Sequence, residues 1–82
     1  MYYVYLLKSE KDLGYYIGFS SELKLRFRQH RDGLVASTKN RRPLCLIYYE
    51  AYHLKKLAEE RETNLKKFGS AYAGLLKRIK EK

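Results

Sequence analysis

The chain has 82 residues, and 45% of them are hydrophobic, a fraction that excludes a disordered protein and predicts one compact domain over residues 1–82. Eighteen Lys and Arg residues against nine Asp and Glu residues give a net charge of +9. We therefore expect a nucleic-acid partner, with an ordinary basic protein of the ribosomal type as the alternative. No segment suits a signal peptide or a membrane span, which predicts a cytoplasmic protein without membrane contact.

Two aromatic segments open the chain. Residues 2–8 and 15–19 are aromatic, β-branched or aliphatic, and this composition predicts two short strands. The polar residues 9–14 between them end in glycine, which favours a hairpin connection. We therefore expect the first two strands to be antiparallel neighbours.

A cationic helix is predicted to follow the hairpin. Ser20 and Ser21 offer an N-cap, and Leu23, Phe27 and His30 recur at helical spacing before an Asp-Gly stop. The other faces of this helix carry positive charge on four residues: Lys24, Arg26, Arg28 and Arg31.

The second half of the chain predicts a strand and two helices. A basic loop over residues 34–43 precedes the apolar run 44–49, which predicts a strand covered on both faces with Cys45 in the core. A helical stripe follows, made of Leu54, Leu57, Ala58, Arg61, Leu65 and Phe68. Gly69 and Ser70 are predicted to end this helix, and residues 71–82 predict a short basic helix. The order β-β-α-β-α-α indicates an α+β fold with a three-stranded antiparallel sheet flanked by helices.

Two tripeptides carry a family resemblance. Tyr3-Val4-Tyr5 is followed, after ten residues, by Tyr16-Ile17-Gly18, and this pair resembles the signature of the GIY-YIG nuclease superfamily. Arg26 lies eight residues after the second motif, at the place of the family's catalytic arginine, with His30 four residues later. Glu62 matches the glutamate of the family's A-x-x-x-E-x-x-L helix. The first motif departs from the pattern by carrying Tyr3 in place of glycine, as in small single-domain bacterial members.

The resemblance implies a metal-dependent endonuclease with five catalytic residues: Tyr5, Tyr16, Arg26, His30 and Glu62. In this reading Glu62 binds a single Mg²⁺ or Mn²⁺ ion, since hard cations accept one carboxylate together with phosphate oxygens and water. Arg26 holds the scissile phosphate. Tyr5 and Tyr16 position or deprotonate water, with Tyr16 the better candidate for the base.

Each of these residues also has an ordinary structural reading. Glu62 can pair with Lys66 at i,i+4 spacing on one helix, and a chain with nine tyrosines uses most of them for packing. His30 can bind phosphate, bind a tyrosine, or serve as a partly buried structural residue. A tyrosine acts as a base only if its pKa, ordinarily near 10, is lowered.

Basic residues outside the catalytic set are expected to grip nucleic acid: Lys24, Arg28, Lys39, Arg41 and Arg42. Such contacts give affinity without sequence information. We therefore expect selection of DNA by structure, on branched, damaged or non-specific duplex substrates, with a role in repair or recombination and with RNA as a further substrate. The alternative is a catalytically weak or inactive nucleic-acid-binding module of the same fold, and a third is a subunit that needs a protein partner.

Overall fold

The computed structural model describes residues 1–80. Three strands and three helices follow in the order β1, β2, α1, β3, α2 and α3, and a short 3₁₀ turn at Lys39–Arg41 precedes β3. Their bounds are β1 Tyr2–Ser9, β2 Tyr15–Ser20, α1 Leu23–Arg31, β3 Leu44–Tyr52, α2 Lys55–Leu65 and α3 Ser70–Lys80. Over the described residues, no helix is both long and apolar enough to cross a bilayer.

The sheet has the strand order β2-β1-β3, and β1 pairs antiparallel with both neighbours. This arrangement confirms the predicted α+β fold. Successive side chains of β1 point to opposite faces because the side-chain period of a strand is two. Helices cover both faces, so Val4, Tyr5, Leu6 and Leu7 are all buried.

One face of the sheet carries the main apolar core. Val4 and Leu6 of β1 pack there with Ile17 of β2 against α2 and α3. The helices contribute three buried residues to this core: Ala58, Leu65 and Leu75. Each of them is at most 2% exposed, so this face supplies most of the hydrophobic stabilisation.

The opposite face is smaller and more polar. Tyr5, Leu7 and Leu44 form its buried cluster, and Leu23 and Phe27 of α1 pack over them. The narrow apolar stripe predicted for α1 is therefore the surface that holds this helix on the sheet. His30 lies on the same helix and is its one buried residue.

The third strand differs from its prediction. β3 is an edge strand that runs on to Tyr52, and within its predicted part only Leu44 is fully buried. The expected core position of Cys45 is wrong, because its thiol is partly exposed and donates a hydrogen bond of 2.9 Å to a carboxylate oxygen of Glu10. An edge strand has a neighbour on one side only, so its side chains are covered less completely than those of β1.

The predicted stripe of α2 is only partly buried. Ala58 and Leu65 lie in the core, whereas Leu54, Leu57 and Phe68 are 55%, 46% and 64% exposed. Leu54 and Phe68 fall outside the helix, because α2 begins at Lys55 and ends at Leu65. The terminal helix is present as α3, and the last two residues of its predicted range, 81 and 82, lie outside the described residues.

Candidate active site

A buried line of three polar side chains crosses the face covered by α1. The Tyr5 hydroxyl and Nε2 of His30 share a hydrogen bond of 2.8 Å, and Nδ1 of His30 is 2.7 Å from Oγ1 of Thr38. Tyr5 is 2% exposed, and His30 and Thr38 are fully buried. The line thus ties the first strand, the cationic helix and the basic loop together at one point.

Gly18 makes room for the Tyr5 ring. The two residues are cross-strand partners in the pairing of β1 with β2. A Cβ atom on Gly18 would overlap the Tyr5 side chain at Cζ and at the hydroxyl oxygen, and would lie 2.7 Å from Cε2. The glycine of the second tripeptide is therefore required by the tyrosine of the first, because the ring leans over the neighbouring backbone.

The electrostatic surroundings of Tyr5 connect it to the other predicted site residues. Burial raises the pKa of Tyr5 to about 12, against the opposing effect of the Arg26 guanidinium, and the nearby Tyr16 and Glu62 raise it further. The Tyr5 hydroxyl therefore contacts His30 directly and lies near enough to Tyr16, Arg26 and Glu62 for these groups to affect its pKa. With so high a pKa, Tyr5 keeps its proton near neutral pH.

His30 is held in its neutral form. Burial lowers the pKa of His30 to about 4, and the positive charge of Arg26 lowers it in the same direction. Both ring nitrogens are already engaged by Tyr5 and Thr38. Of the partners predicted for His30, the structure supplies the tyrosine, and the complete burial of the ring prevents direct contact with a phosphate.

Tyr16 and Arg26 lie on the more open side of this cluster. The Tyr16 ring meets His30 edge-to-face, with ring centroids 5.1 Å apart. The Arg26 Nη1 donates a hydrogen bond of 3.1 Å to the side-chain oxygen of Gln29, one turn further along α1. Both side chains are partly exposed, so Arg26 keeps further N–H donors for an anion that approaches the cluster.

The ion pair predicted for Glu62 is present, and its carboxylate also lies near Tyr5. Its carboxylate forms an ion pair of 3.1 Å with Lys66, and its side chain is 22% exposed. It is also close enough to Tyr5 to raise the pKa of that hydroxyl. Within residues 1–80, no group of three His, Cys, Asp or Glu side chains could hold a metal ion. A single carboxylate still fits Mg²⁺, which usually keeps several waters and binds substrate phosphates.

The residues predicted to grip nucleic acid fall into two groups. Lys24, Arg28, Lys39 and Arg42 are exposed. Arg41 is partly exposed; its Nε donates a 2.7 Å hydrogen bond to the Asp12 carboxylate and its Nη2 a 3.4 Å bond to the Tyr15 carbonyl. This ion pair attaches the loop to the β1–β2 hairpin, and the contact of Arg41 with nucleic acid stays a prediction.

Two residues of the site were missed in the sequence. Thr38 was read only as part of a basic loop, and Gln29 was not singled out. Thr38 lies eight residues after His30 in a loop, and no periodicity joins the two positions. Only the helical spacing of Gln29 from Arg26 could have signalled a contact.

A second polar cluster lies on the other face of the sheet and was not predicted. Glu50, whose side chain is 15% exposed, accepts two hydrogen bonds of 2.9 Å from Arg61. Tyr48 and Tyr52 donate to the same carboxylate at 2.7 and 2.5 Å. Burial alone would raise the pKa of Glu50, but these hydrogen bonds outweigh it and hold the pKa below its ordinary value.

Comparisons with known proteins were consistent with one another. A family model described as "GIY-YIG catalytic domain" matches residues 1–74. A "UPF0213 protein" of Clostridium perfringens is 40% identical over 68 residues, with 82% of this chain and 72% of that protein covered. One from Staphylococcus haemolyticus is 38% identical over 68 residues, with 82% of each covered. The solution NMR structure of the UPF0213 protein of Bacillus halodurans has a TM-score of 0.60 at 27% identity and covers 98% of this chain and 86% of that one.

Proposed function

This chain belongs to the GIY-YIG family, and on that premise we propose that it is a divalent-metal-dependent endonuclease that hydrolyses phosphodiester bonds in DNA. Membership confirms the resemblance predicted from the sequence and implies a nuclease-type domain with a nucleic-acid substrate. One observation carries the finer proposal. The Tyr5 hydroxyl is hydrogen-bonded with His30, and its pKa is influenced by three further groups from β2, α1 and α2: Tyr16, the guanidinium of Arg26 and the carboxylate of Glu62.

The phosphate is assigned to Arg26. Its planar guanidinium can donate two parallel hydrogen bonds to phosphate oxygens, and these strengthen as charge develops on the phosphoryl group. The bond to Gln29 fixes one end of the side chain at 3.1 Å, which limits the loss of side-chain freedom when substrate binds. Exposed cations on α1 and the following loop would hold the flanking phosphates.

A metal ion is assigned to Glu62. This carboxylate would hold Mg²⁺ or Mn²⁺ after releasing Lys66, with water and phosphate oxygens completing the shell. When bound, such an ion neutralises charge on the phosphoryl group and lowers the pKa of bound water.

The two tyrosines are assigned different roles. Tyr5 remains protonated because burial raises its pKa to about 12, so it donates or accepts a hydrogen bond without taking the proton of water. Tyr16 lies on the open side of the cluster, where its oxygen would accept that proton. The water oxygen would then attack phosphorus, and the bond from phosphorus to the 3′ oxygen would break; that oxygen would leave with the electron pair and take a proton from solvent. His30 is a positioning residue that fixes the Tyr5 hydroxyl.

The exposed cations of α1 and the following loop suit phosphate contacts, which carry no sequence information. We therefore propose selection by DNA shape, on the branched or damaged substrates of repair and recombination. RNA is a further substrate that the same contacts would accept. The Glu62–Lys66 ion pair favours a second candidate function, a nucleic-acid-binding module with little turnover, because Lys66 occupies the carboxylate that a metal needs.

The direct test uses plasmid, branched, single-stranded DNA and RNA substrates at low salt, with and without Mn²⁺. We expect cleavage that requires the ion and is lost in Glu62→Ala, with nucleic-acid binding retained. If binding is indifferent to divalent ions and no substrate is cut, the binding module is the correct function.

A further inference from the structure

An exposed tyrosine stands beside the cationic helix α1. Tyr49 of β3 is 54% exposed although it belongs to the sheet. Its ring contacts that of Tyr3 edge-to-face, with centroids 6.0 Å apart and an interplanar angle of 67°. The contact steadies the orientation of the Tyr49 ring while leaving much of its surface open.

A positively charged cleft of about 310 Å³ adjoins the Tyr49 ring. Leu23, Phe27 and Leu46 give it an apolar floor, and all three pack on the buried cluster below. The remaining described lining residues are Lys24, Arg28 and Arg31, and no carboxylate lies among them. An apolar floor with a cationic wall fits a flat ring that is attached to an anion.

Arg31 joins this cleft to a larger one of about 500 Å³ at the other end of α1. Three further cations line that second cleft: Lys11, Lys39 and Arg42. The two clefts together make a cationic track, defined as Lys24, Arg28, Arg31, Lys39, Arg42 and Lys11. Its charge is complementary to a chain of phosphates and not to a neutral or basic partner.

We infer that Tyr49 stacks against an unpaired base while the cationic track holds the phosphates of the same nucleic-acid strand. Stacking on an aromatic side chain needs an exposed base face, which a base inside a duplex does not present. Tyr49 is the cross-strand partner of Tyr5 in the sheet, so the stacked base lies near the scissile phosphate. The choice of nucleic acid as ligand rests on the proposed function, and the inference adds that the preferred substrate is unpaired at this point.

Binding can be measured without cleavage, in EDTA, with a single-stranded oligonucleotide and its duplex. We expect Tyr49→Ala to weaken single-strand binding about tenfold, as removal of one stacking contact does, with duplex binding nearly unchanged. Tyr49→Phe should bind like the wild type. Phe68→Ala is the matched control, since Phe68 is 64% exposed but lies outside the track. Equal single-strand affinity for Tyr49→Ala and wild type would overturn the inference, as would an equal loss on both ligands.

A second measurement does not depend on Tyr49→Ala folding normally. The chain contains no tryptophan, so Tyr49→Trp introduces a single fluorescent reporter. We expect its emission to be quenched on titration with the single strand and to change little with duplex, whereas Phe68→Trp should respond to neither. If the emission of Tyr49→Trp does not change at a saturating concentration of single strand, the stacking inference is overturned. Because no divalent ion is present, these results stand apart from whether the protein cleaves DNA.

Discussion

Two polar clusters lie on opposite faces of the same sheet, and each contains a tyrosine whose pKa is about 12. On the α1 face, burial raises the pKa of Tyr5, which is hydrogen-bonded with His30. On the α2 face, burial and then the Glu50 carboxylate raise the pKa of Tyr52. A raised tyrosine pKa therefore does not by itself mark an active site in this protein.

The clusters differ in how their charges are satisfied. Glu50 accepts four hydrogen bonds from three side chains, and two of these bonds come from the oppositely charged Arg61. Around Tyr5, the two charged groups do not pair with each other: Arg26 is bonded to Gln29 and Glu62 to Lys66. A closed cluster joins strand to helix, whereas an open one keeps charge available for a ligand. We therefore propose that the first cluster stabilises the fold and that the second carries the chemistry.

The largest expected effect is that of Gly18→Ala. The added methyl group would displace the buried Tyr5 ring and break its 2.8 Å bond with His30, which we expect to cost about 3 kcal/mol or more in the free energy of unfolding. Chemical denaturation of Gly18→Ala and of the wild type measures this difference in the free energy of unfolding. Gly74→Ala is the control, since a Cβ there meets nothing within 4 Å, and its helix should gain up to about 1 kcal/mol. Equal stability of Gly18→Ala and wild type would show that the ring can move freely.

Glu50→Gln should separate stability from chemistry. Losing the charge leaves Arg61 without its partner in a mostly buried setting, which we expect to cost about 2 to 3 kcal/mol of the free energy of unfolding. Cleavage per folded molecule should stay unchanged, because this cluster lies on the other face of the sheet. Denaturation and cleavage assays on the same preparation test both statements. A loss of cleavage by the folded variant would contradict the division of roles.

The His30 position predicts a pH dependence of stability. Because its folded-state pKa of about 4 lies below the ordinary value of 6.5, the unfolded chain binds the proton more readily. The stabilisation is present above pH 6.5 and is lost as the pH falls towards 4. Between pH 7 and pH 5, we expect wild type to lose about 2 kcal/mol more than His30→Gln. The free energy of unfolding is measured by denaturation at each pH. An equal loss in both proteins would show that His30 does not carry the effect.

The smallest effect is expected from Lys66→Met. Removing this partly exposed partner of Glu62 should lower stability by a few tenths of a kcal/mol and raise the apparent affinity for Mn²⁺ up to about threefold. Cleavage rates across a Mn²⁺ titration at saturating DNA measure the affinity. Lys67→Met, on an exposed neighbour, is the control. A lower affinity for Mn²⁺ in Lys66→Met would indicate that the ion pair helps the metal instead of competing with it.

The elements that position the site could be predicted because their patterns are local. The two aromatic strands and the α1 stripe follow from spacing within a few residues. The grouping of Tyr5, Tyr16, Arg26 and Glu62 came from resemblance, since their convergence depends on strand and helix packing across the sheet. Without the resemblance, the i,i+4 spacing of Glu62 and Lys66 predicts only their ion pair.

What could not be predicted depends on contacts between distant residues. The ion pair of Arg41 is one example, because its partner Asp12 lies 29 residues away in the hairpin. Thr38 and Glu50 acquire their partners only when loop, sheet and helix come together. The apolar run at β3 was read as a doubly covered strand because composition does not reveal which strand lies at the edge of a sheet.

The most direct test of the central claim compares Glu62→Gln with Glu60→Gln, which removes an exposed carboxylate from the same helix. Cleavage of branched DNA in Mn²⁺, binding in EDTA and unfolding would be measured for both variants. We expect Glu62→Gln to lose at least about a hundredfold in cleavage, with binding and the free energy of unfolding nearly unchanged, and Glu60→Gln to match wild type throughout. Cleavage by Glu62→Gln at the wild-type rate would contradict the account.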